Sequence, residues 1–166
     1  MIKFILDSND FKSIRQIAHI TWPIAYSHII TQEQMDYMLE MMYSNSSLQH
    51  QRDNLNHHFI VAYDENNETI GFASFSSYEN SNNHHRLHKL YVLPNLQQKG
   101  IGKSLLEIIF KEIRKNGNGS LELNVNRNNT ALQFYQKLGF EILREEDIDI
   151  GNGFFMNDYE IGRAHV

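Results

Sequence analysis

The segment that most restricts the fold of this chain is a strand, a glycine-containing turn and a helix in direct succession. An apolar run ends at Leu93-Pro94, and the turn from Gln97 to Ser104 opens a helix. The inward-facing side chains of this helix recur at helical spacing, at Ile101, Leu105, Ile108 and Ile109. A strand joined to a helix in this way predicts a mixed α/β protein.

The glycines of this turn favour the binding of a phosphate group. Gly100 and Gly102 leave backbone N–H groups uncovered, and the helix N-terminus adds unsatisfied donors and a favourable dipole. Lys99 and Lys103 add positive charge nearby, so the turn suits a pyrophosphate. The spacing is not that of a Walker loop, and the third glycine of the dinucleotide fingerprint is missing. A second interpretation is that the glycines only tighten a strand-to-helix turn.

Further strands and helices are predicted on both sides of this unit. The predicted strands cover 2–6, 59–63, 70–78, 121–125, 140–143 and 154–159, and the predicted helices follow Ser8 or Asp10, follow Thr31 and cover 129–138. Thr31 with Gln34 three residues later fits a capping box. Pro23 should end or kink the first helix at Trp22. No linker or repeat is present, so the pattern predicts a single mixed α/β domain over residues 1–166.

Composition excludes several classes of function. The net charge of −5 gives no basic footprint for DNA or RNA. The chain has no cysteine, which removes disulfides, thiolate metal sites and a cysteine nucleophile. No run of roughly 18 apolar residues is present to span a membrane. We therefore expect a cytoplasmic protein without nucleic-acid or membrane partners.

Two motifs together resemble those of the GNAT family of N-acetyltransferases. The first is Gln97-x-x-Gly100-x-Gly102 after a strand that ends Leu90-Tyr91-Val92-Leu93-Pro94. The second is Asn128-Asn129-Thr130-Ala131 followed by Phe134-Tyr135-Gln136-Lys137-Leu138-Gly139-Phe140. The resemblance is strongest over residues 87–140. It implies the GNAT fold, a single mixed, mostly antiparallel and strongly twisted sheet of about seven strands flanked by about four helices.

The resemblance also implies acetyl-CoA as the cofactor and assigns residues to it. The backbone of Leu90, Tyr91 and Val92 would bind the pantetheine arm and the thioester carbonyl, with an N–H aimed at the developing oxyanion. Asn126 would bind the pantetheine, while Asn129 would cap its helix and reach the cofactor. The full predicted cofactor set is Leu90, Tyr91, Val92, Gln97, Gln98, Lys99, Gly100, Ile101, Gly102, Lys103, Ser104, Asn126, Asn129, Tyr135 and Lys137.

Two catalytic residues are predicted. In the family, the position of Tyr135 holds the general acid, whose phenol protonates the leaving thiolate. The alternative is a core tyrosine packed beside Phe134. The position where relatives often carry a glutamate base falls near Arg86, which cannot act as a base. His88 is two residues further on the same face, and an imidazole with a pKa near 6.5 suits proton removal. Alternatives to His88 are His85, Glu79 and an ordered water.

The acceptor is predicted from the N-terminal part of the chain. Residues 21–26 and 33–39 resemble the front half of polyamine acetyltransferases of the bacterial PaiA type. Trp22, Tyr26 and Tyr43 would line the acceptor slot, although each also fits the core. The acidic row Glu33, Asp36 and Glu40 suits either a polyamine or an ordinary solvated face. No metal is expected at His84, His85 and His88, because no carboxylate pattern accompanies them.

The predicted function is the transfer of an acetyl group from acetyl-CoA to a primary amine by direct attack in a ternary complex. The acceptor is expected to be a small molecule such as a polyamine. Two alternatives stay open: acetylation of a protein or peptide amine, and a non-catalytic module that binds acyl-CoA for regulation. Many members of the family form dimers, so a homodimer is also expected.

Overall fold

The structure is a computed structural model that describes residues 1–166. The chain forms five α-helices and seven β-strands. The helices are α1 Phe11–Tyr26, α2 Gln32–Tyr43, α3 Asn45–Asp53, α4 Ile101–Arg114 and α5 Ala131–Lys137. The strands are β1 Lys3–Leu6, β2 His58–Tyr63, β3 Thr69–Ser77, β4 His84–Val92, β5 Ser120–Asn126, β6 Glu141–Gly151 and β7 Phe154–Arg163. The predicted mixed α/β class is confirmed.

The seven strands form one sheet in the order β1-β2-β3-β4-β5-β7-β6. The pairs β1–β2, β2–β3, β5–β7 and β6–β7 are antiparallel. β4 and β5 pair in parallel through His84↔Ser120, His85↔Leu121 and Arg86↔Glu122. This parallel pairing is possible because α4 lies between the two strands in the chain, as a parallel crossover requires.

The chain divides into two compact units. The first unit comprises residues 1–76 and 87–112, and the second comprises residues 77–86 and 113–166. The glycine-containing turn and the end of β4 belong to the first unit. The second sequence motif, with Tyr135, belongs to the second unit.

In the first unit, α1 and α2 pack aromatic side chains against β2 and β3. Trp22 and Tyr43 are almost fully buried, with their ring centroids 5.9 Å apart, and the ring of Tyr43 lies 6.1 Å from that of Phe72 on β3. Phe11 of α1 meets Phe59 of β2 edge-on at 5.4 Å. Burying each such side chain contributes on the order of 1.5–3 kcal/mol to folding.

The starts of α1 and α2 confirm the predicted caps. The Asp10 carboxylate accepts a hydrogen bond from the Ser13 N–H at 3.3 Å, and the Thr31 hydroxyl oxygen accepts one from the Gln34 N–H at 3.1 Å. These contacts satisfy amide groups that the first turn of a helix leaves without partners.

The helix does not end at Trp22, one of the two outcomes predicted from Pro23, because α1 continues through this residue to Tyr26. Proline in a helix interior costs about 3 kcal/mol. Trp22 and Tyr26 are one turn apart and both buried, with ring centroids 4.7 Å apart. Their burial offsets the cost, and the Ser27 N–H still donates to the Pro23 carbonyl at 3.1 Å.

Two short helical segments were missed by the sequence analysis. These are α3, which the hydroxyl of Ser44 caps, and a 3₁₀ turn over Pro94–Lys99. Only Leu48 and Gln51 of α3 are buried, so the segment has little of the apolar stripe that marks a helix. No helix is both long enough and apolar enough to cross a membrane.

In the second unit, β5 and β7 bury apolar side chains on one face and polar side chains on the other. Leu121, Leu123 and Val125 of β5 and Ile161 of β7 are buried. β6 and β7 extend well beyond the predicted strands. Because the two strands are longer than predicted, more of their polar residues pair across the sheet than the sequence indicated.

Candidate active site

The glycine-containing turn of the first unit has the open backbone that the sequence predicts. Gly100 has φ of 77°, in the left-handed region that favours glycine, and ends the 3₁₀ turn before α4 begins at Ile101. A Cβ atom at Gly100 would meet no atom within 4 Å. The turn is therefore free of protein atoms on the side where a side chain would project.

The side chains of this turn divide into exposed and anchoring ones. Ile101 is 2% exposed, so only its backbone is available to a ligand. Gln97 donates from Nε2 to the Val92 carbonyl at 3.3 Å, which fixes the turn to the end of β4. Gly102 is half-buried, and the remaining predicted cofactor residues of the turn are exposed: Gln98, Lys99, Gly100, Lys103 and Ser104.

The end of β4 approaches β3 closely. A Cβ atom on Gly71 would lie 2.9 Å from the carbonyl oxygen of Tyr91, so only glycine fits there without displacement. The Leu93 N–H donates to the Ile70 carbonyl at 2.9 Å. Leu90 and Tyr91 are half-buried and Val92 is buried. The strand end is thus held firmly where the sequence predicts backbone contacts with the cofactor.

The predicted acceptor residues form an aromatic cluster. Trp22 is 2% exposed, Tyr26 is 8% exposed and Tyr43 is completely buried. The Tyr26 and Tyr91 hydroxyl groups are hydrogen-bonded at 2.9 Å, and the Tyr91 ring lies 5.7 Å from that of Phe72. In this structure all three side chains act as core residues. Contact with an acceptor stays a prediction.

His88 is held by two neighbours. Its Nε2 atom is 2.7 Å from the Ser76 hydroxyl oxygen, and its ring stacks on that of His57 at 3.7 Å with an angle of 9°. Burial lowers the pKa of His57 to about 4, and the charge of Lys89 acts in the same direction. His57 is therefore neutral at neutral pH, and the half-buried His88 ring is fixed in orientation.

Lys89 is a buried amine that the sequence analysis missed. It is 4% exposed, and its Nζ atom donates to Gln51 Oε1 at 2.5 Å. The Tyr43 and Phe59 rings lie 5.4 Å and 5.8 Å from Nζ. Burial lowers the pKa of Lys89 to about 7. Lys89 lies two residues after the buried Leu87, so both belong to the inner face of β4. This spacing was the sequence signal that could have identified Lys89 as buried.

The alternatives to His88 lie in the second unit. His85 is buried and Glu79 is exposed. Arg86 donates from Nη1 to the Tyr78 hydroxyl at 3.4 Å. The guanidinium confirms that this position cannot supply a base, as its residue type implied.

Asn126 and Asn129 order the chain between β5 and α5. Asn126 is buried, and its Oδ1 atom accepts from the Asn128 N–H at 2.9 Å. The Asn129 Oδ1 atom accepts from the Ala131 N–H at 2.9 Å. Asn129 thus bonds the first residue of α5, but the N-cap residue is Thr130, which makes no side-chain cap bond, so the predicted cap at Asn129 is wrong by one residue. The contact of Asn129 with the cofactor stays a prediction.

Tyr135 is buried on α5. Its ring meets Phe134 at 5.2 Å and Phe140 at 5.6 Å, both in edge-on geometry. Lys137 is exposed near the end of the same helix. The surroundings of Tyr135 agree with a core residue and are also compatible with an acid whose phenol is shielded from water.

A polar face of the second unit was also missed. The face consists of Glu122 and Asn124 on β5, Glu146 on β6, and Asp158 and Glu160 on β7. Asp158 and Glu160 are 6% and 3% exposed. These residues are far apart in the sequence, and only the pairing of β5, β7 and β6 brings them together. No three histidine, aspartate or glutamate residues are arranged to hold a metal ion.

Comparison with known proteins identifies the family. The sequence model of the GNAT acetyltransferase domain matches residues 27–161. A spermidine N(1)-acetyltransferase of Thermoplasma acidophilum is 30% identical over 156 residues, which cover 91% of this chain and 92% of that protein. An uncharacterised N-acetyltransferase of Bacillus subtilis is 27% identical, with 85% and 80% covered. The crystal structure of a PaiA N-acetyltransferase of T. acidophilum with coenzyme A superposes with a TM-score of 0.81 at 25% identity, covering 99% of both chains.

The chain belongs to the GNAT acetyltransferase family. It has the GNAT fold and is an acyl-CoA-dependent N-acyltransferase whose cofactor is acetyl-CoA. The residues of the first unit fit this cofactor. The left-handed Gly100, the empty space beside it and the exposed Lys99 and Lys103 form a turn that a pyrophosphate can approach.

Proposed function

We propose that the enzyme transfers an acetyl group from acetyl-CoA to a primary amine of a small molecule, with a polyamine as the first candidate acceptor. The main support is the spermidine N(1)-acetyltransferase, whose similarity extends over nearly the whole of both chains. The net charge of −5 also favours a cationic acceptor. The reaction would proceed by direct attack of the amine in a ternary complex.

The turn of the first unit would hold the cofactor. The amides from Gly100 to Ser104 would bind the pyrophosphate, with Lys99 and Lys103 adding charge, and Gln97 and Gln98 completing the rim. Leu90, Tyr91 and Val92 would contact the pantetheine through their backbone. Asn126 is proposed to bond the pantetheine, and Asn129 and Lys137 complete the proposed cofactor set. Bound acetyl-CoA supplies an activated acetyl thioester.

His88 would remove the proton from the acceptor amine. An aliphatic amine has a pKa of roughly 10.4 and is protonated at neutral pH, so it needs a base before it can attack. The bond to Ser76 and the stack on the neutral His57 hold the His88 ring in one orientation. A fixed imidazole is suited to accept a proton at one defined atom.

Tyr135 would hold a proton on its hydroxyl oxygen and deliver it to the leaving thiolate, and its phenolate would regain a proton from the second N–H that the acceptor nitrogen loses as the amide forms. Its packing between Phe134 and Phe140 limits movement of the ring. Trp22, Tyr26 and Tyr43 are proposed to line the acceptor slot from within the aromatic cluster.

We also propose a single domain over residues 1–166, since the family match spans both units. A cytoplasmic location and a homodimer stay predictions.

A screen of amines with acetyl-CoA tests this proposal by following the release of CoA thiol. We expect release with spermidine, spermine and simple diamines. Release with a peptide amine alone would assign the enzyme to protein acetylation. Tight binding of acetyl-CoA without release for any amine would indicate a regulatory binding module.

A further inference from the structure

We propose that His57 is a positioning residue for His88, and that its neutral ring stacks on this base and stabilises the protonated form. The inference rests on the proposed function, in which His88 removes the proton from the acceptor amine. It adds to that function a residue that would strengthen the base without contact with the substrate.

The two imidazole rings stack face to face. Their centroids are 3.7 Å apart and their planes differ by 9°. His57 precedes β2, whereas His88 lies on β4, two strands away in the sheet. Ser76 belongs to the strand between them, and its hydroxyl oxygen is 2.7 Å from Nε2 of His88. All three residues belong to the first unit.

Gln51 of α3 holds His57 in this place. The Gln51 backbone carbonyl accepts from the His57 N–H at 2.9 Å. The Gln51 side chain accepts at Oε1 from Lys89 Nζ at 2.5 Å and donates from Nε2 to the Met42 carbonyl at 2.8 Å. Gln51 is therefore bonded at both ends of its buried amide. These bonds tie the segment before β2 to β4, the strand that carries His88.

His57 stays uncharged in the pH range in which an ordinary histidine titrates. Burial lowers its pKa to about 4, and the charge of Lys89 acts in the same direction. Its Nδ1 atom is buried and has no hydrogen-bond partner. A protonated ring would carry an N–H donor there without an acceptor, which is costly. The stack therefore joins His88 to a ring that remains neutral.

The other groups around the stack do not favour a protonated His88. The charges that act on His57 come from Lys89 on β4, His58 on β2 and His50 on α3. Each is cationic when protonated and repels a further cation. The Ser76 hydroxyl can donate to a neutral Nε2 or accept from a protonated one, so its bond serves both forms. The face of a neutral aromatic ring attracts a cation, so among these contacts the stack is the one that favours the protonated form.

Nuclear magnetic resonance measures this effect without turnover. The full chain saturated with CoA is titrated with acid, and the ring signals of His88 are assigned by their loss in His88→Gln. His57→Leu removes the aromatic face and should lower the His88 titration midpoint by about half a pH unit. His57→Phe keeps an aromatic face that cannot be protonated and should restore the wild-type midpoint. His19→Leu, at an exposed residue of α1, is the matched control and should leave the midpoint unchanged.

The pH profile of kcat/KM for spermidine provides the second readout. Its acidic limb should move to lower pH by about the same half unit in His57→Leu and stay in place in His57→Phe. If His57→Leu does not fold, as judged by circular dichroism, His57→Gln replaces it. An unchanged His88 midpoint in the variant without the ring, or equal shifts in His57→Phe and His57→Leu, would overturn the proposal.

These outcomes separate the inference from the proposed function. A His88 midpoint that depends on the stack, in an enzyme that releases CoA with no amine, would contradict the proposed function and leave the effect of His57 on His88 intact. Release of CoA with spermidine, together with a His88 midpoint that does not depend on His57, would contradict this inference alone.

Discussion

At the scale of single residues, the structure places a lysine amine where an uncharged side chain would ordinarily pack. The Lys89 amine has Gln51 Oε1 as a hydrogen-bond acceptor and aromatic rings at 5.4 Å and 5.8 Å. Sequence patterns identify which face of β4 is buried and place Lys89 on it, two residues from Leu87, but they do not show that the amine itself is withdrawn from water. The lowered pKa follows from the helices that cover the strand, and these belong to the tertiary structure.

The first prediction concerns stability against pH. The folded pKa of Lys89 is about 7, whereas an unfolded lysine titrates near 10.4. Between these values the unfolded chain binds the extra proton, so the free energy of unfolding should rise with pH, by up to about 1.4 kcal/mol per unit. Urea unfolding at pH 7, 8 and 9 measures this slope. In Lys89→Met the slope should flatten, and equal slopes in the two proteins would contradict the assignment.

The second prediction concerns Tyr135. Tyr135→Phe keeps the ring that packs on Phe134 and Phe140, so the fold and CoA affinity should persist. Turnover should fall about 10²-fold, a typical contribution of a general acid. Tyr159→Phe on β7 is the matched control and should retain normal turnover. Wild-type rates in Tyr135→Phe would leave protonation of the leaving group to water.

The third prediction concerns His88. His88→Gln should lower kcat/KM by about 10²-fold or more and remove the acidic limb of its pH profile, because the base would be absent. His84→Gln, at an exposed residue hydrogen-bonded to Ser120, is the control. Ser76→Ala should keep the acidic limb of the pH profile and lower kcat/KM less than His88→Gln does, since it only frees the His88 ring to rotate. An unchanged profile in His88→Gln would exclude this base.

At the scale of elements, the helix starts and the strand–turn–helix unit were predictable, because their signals are local. Thr31 and Asp10 cap helices through bonds to residues three positions away. The continuation of α1 through Pro23 was not predictable, since the burial of Trp22 and Tyr26 that keeps α1 intact is a tertiary effect. α3 escaped detection because Gln51, one of its two buried residues, is polar.

The fourth prediction concerns the turn before α4. Gly100→Ala should weaken CoA binding, because a methyl group would occupy the open space beside the backbone amides. Strain at positive φ costs roughly 1–2 kcal/mol and must be separated from this effect. Gly117→Ala is the matched control, with φ of 94° and no atom within 4 Å of its Cβ. Both variants should lose similar stability, measured by urea unfolding, but only Gly100→Ala should lose affinity for CoA. Equal affinities would place the pyrophosphate elsewhere.

At the scale of the whole molecule, the sequence allowed the family and cofactor to be predicted, but not the polar face of the second unit. Each GNAT motif is one continuous run of the sequence, so both can be identified without knowledge of the fold. Glu122, Glu146 and Asp158 become neighbours only through the order β5-β7-β6, and nothing local in the sequence specifies that order. The same holds for His57, which precedes β2, and His88 of β4, whose rings stack although the residues are far apart in the sequence.

The last prediction uses the charge of the whole chain. A net charge of −5 attracts cations at long range, and the attraction grows with the charge of the acceptor. The screening length falls from about 30 Å at 0.01 M salt to about 8 Å at 0.15 M. Raising the salt across this range should therefore increase the KM for spermidine several-fold, and the KM for propylamine much less. Initial rates at fixed pH and saturating acetyl-CoA measure both constants. Parallel increases for the two amines would mean that charge does not select the acceptor, and that its recognition depends on apolar contacts such as those of the aromatic cluster.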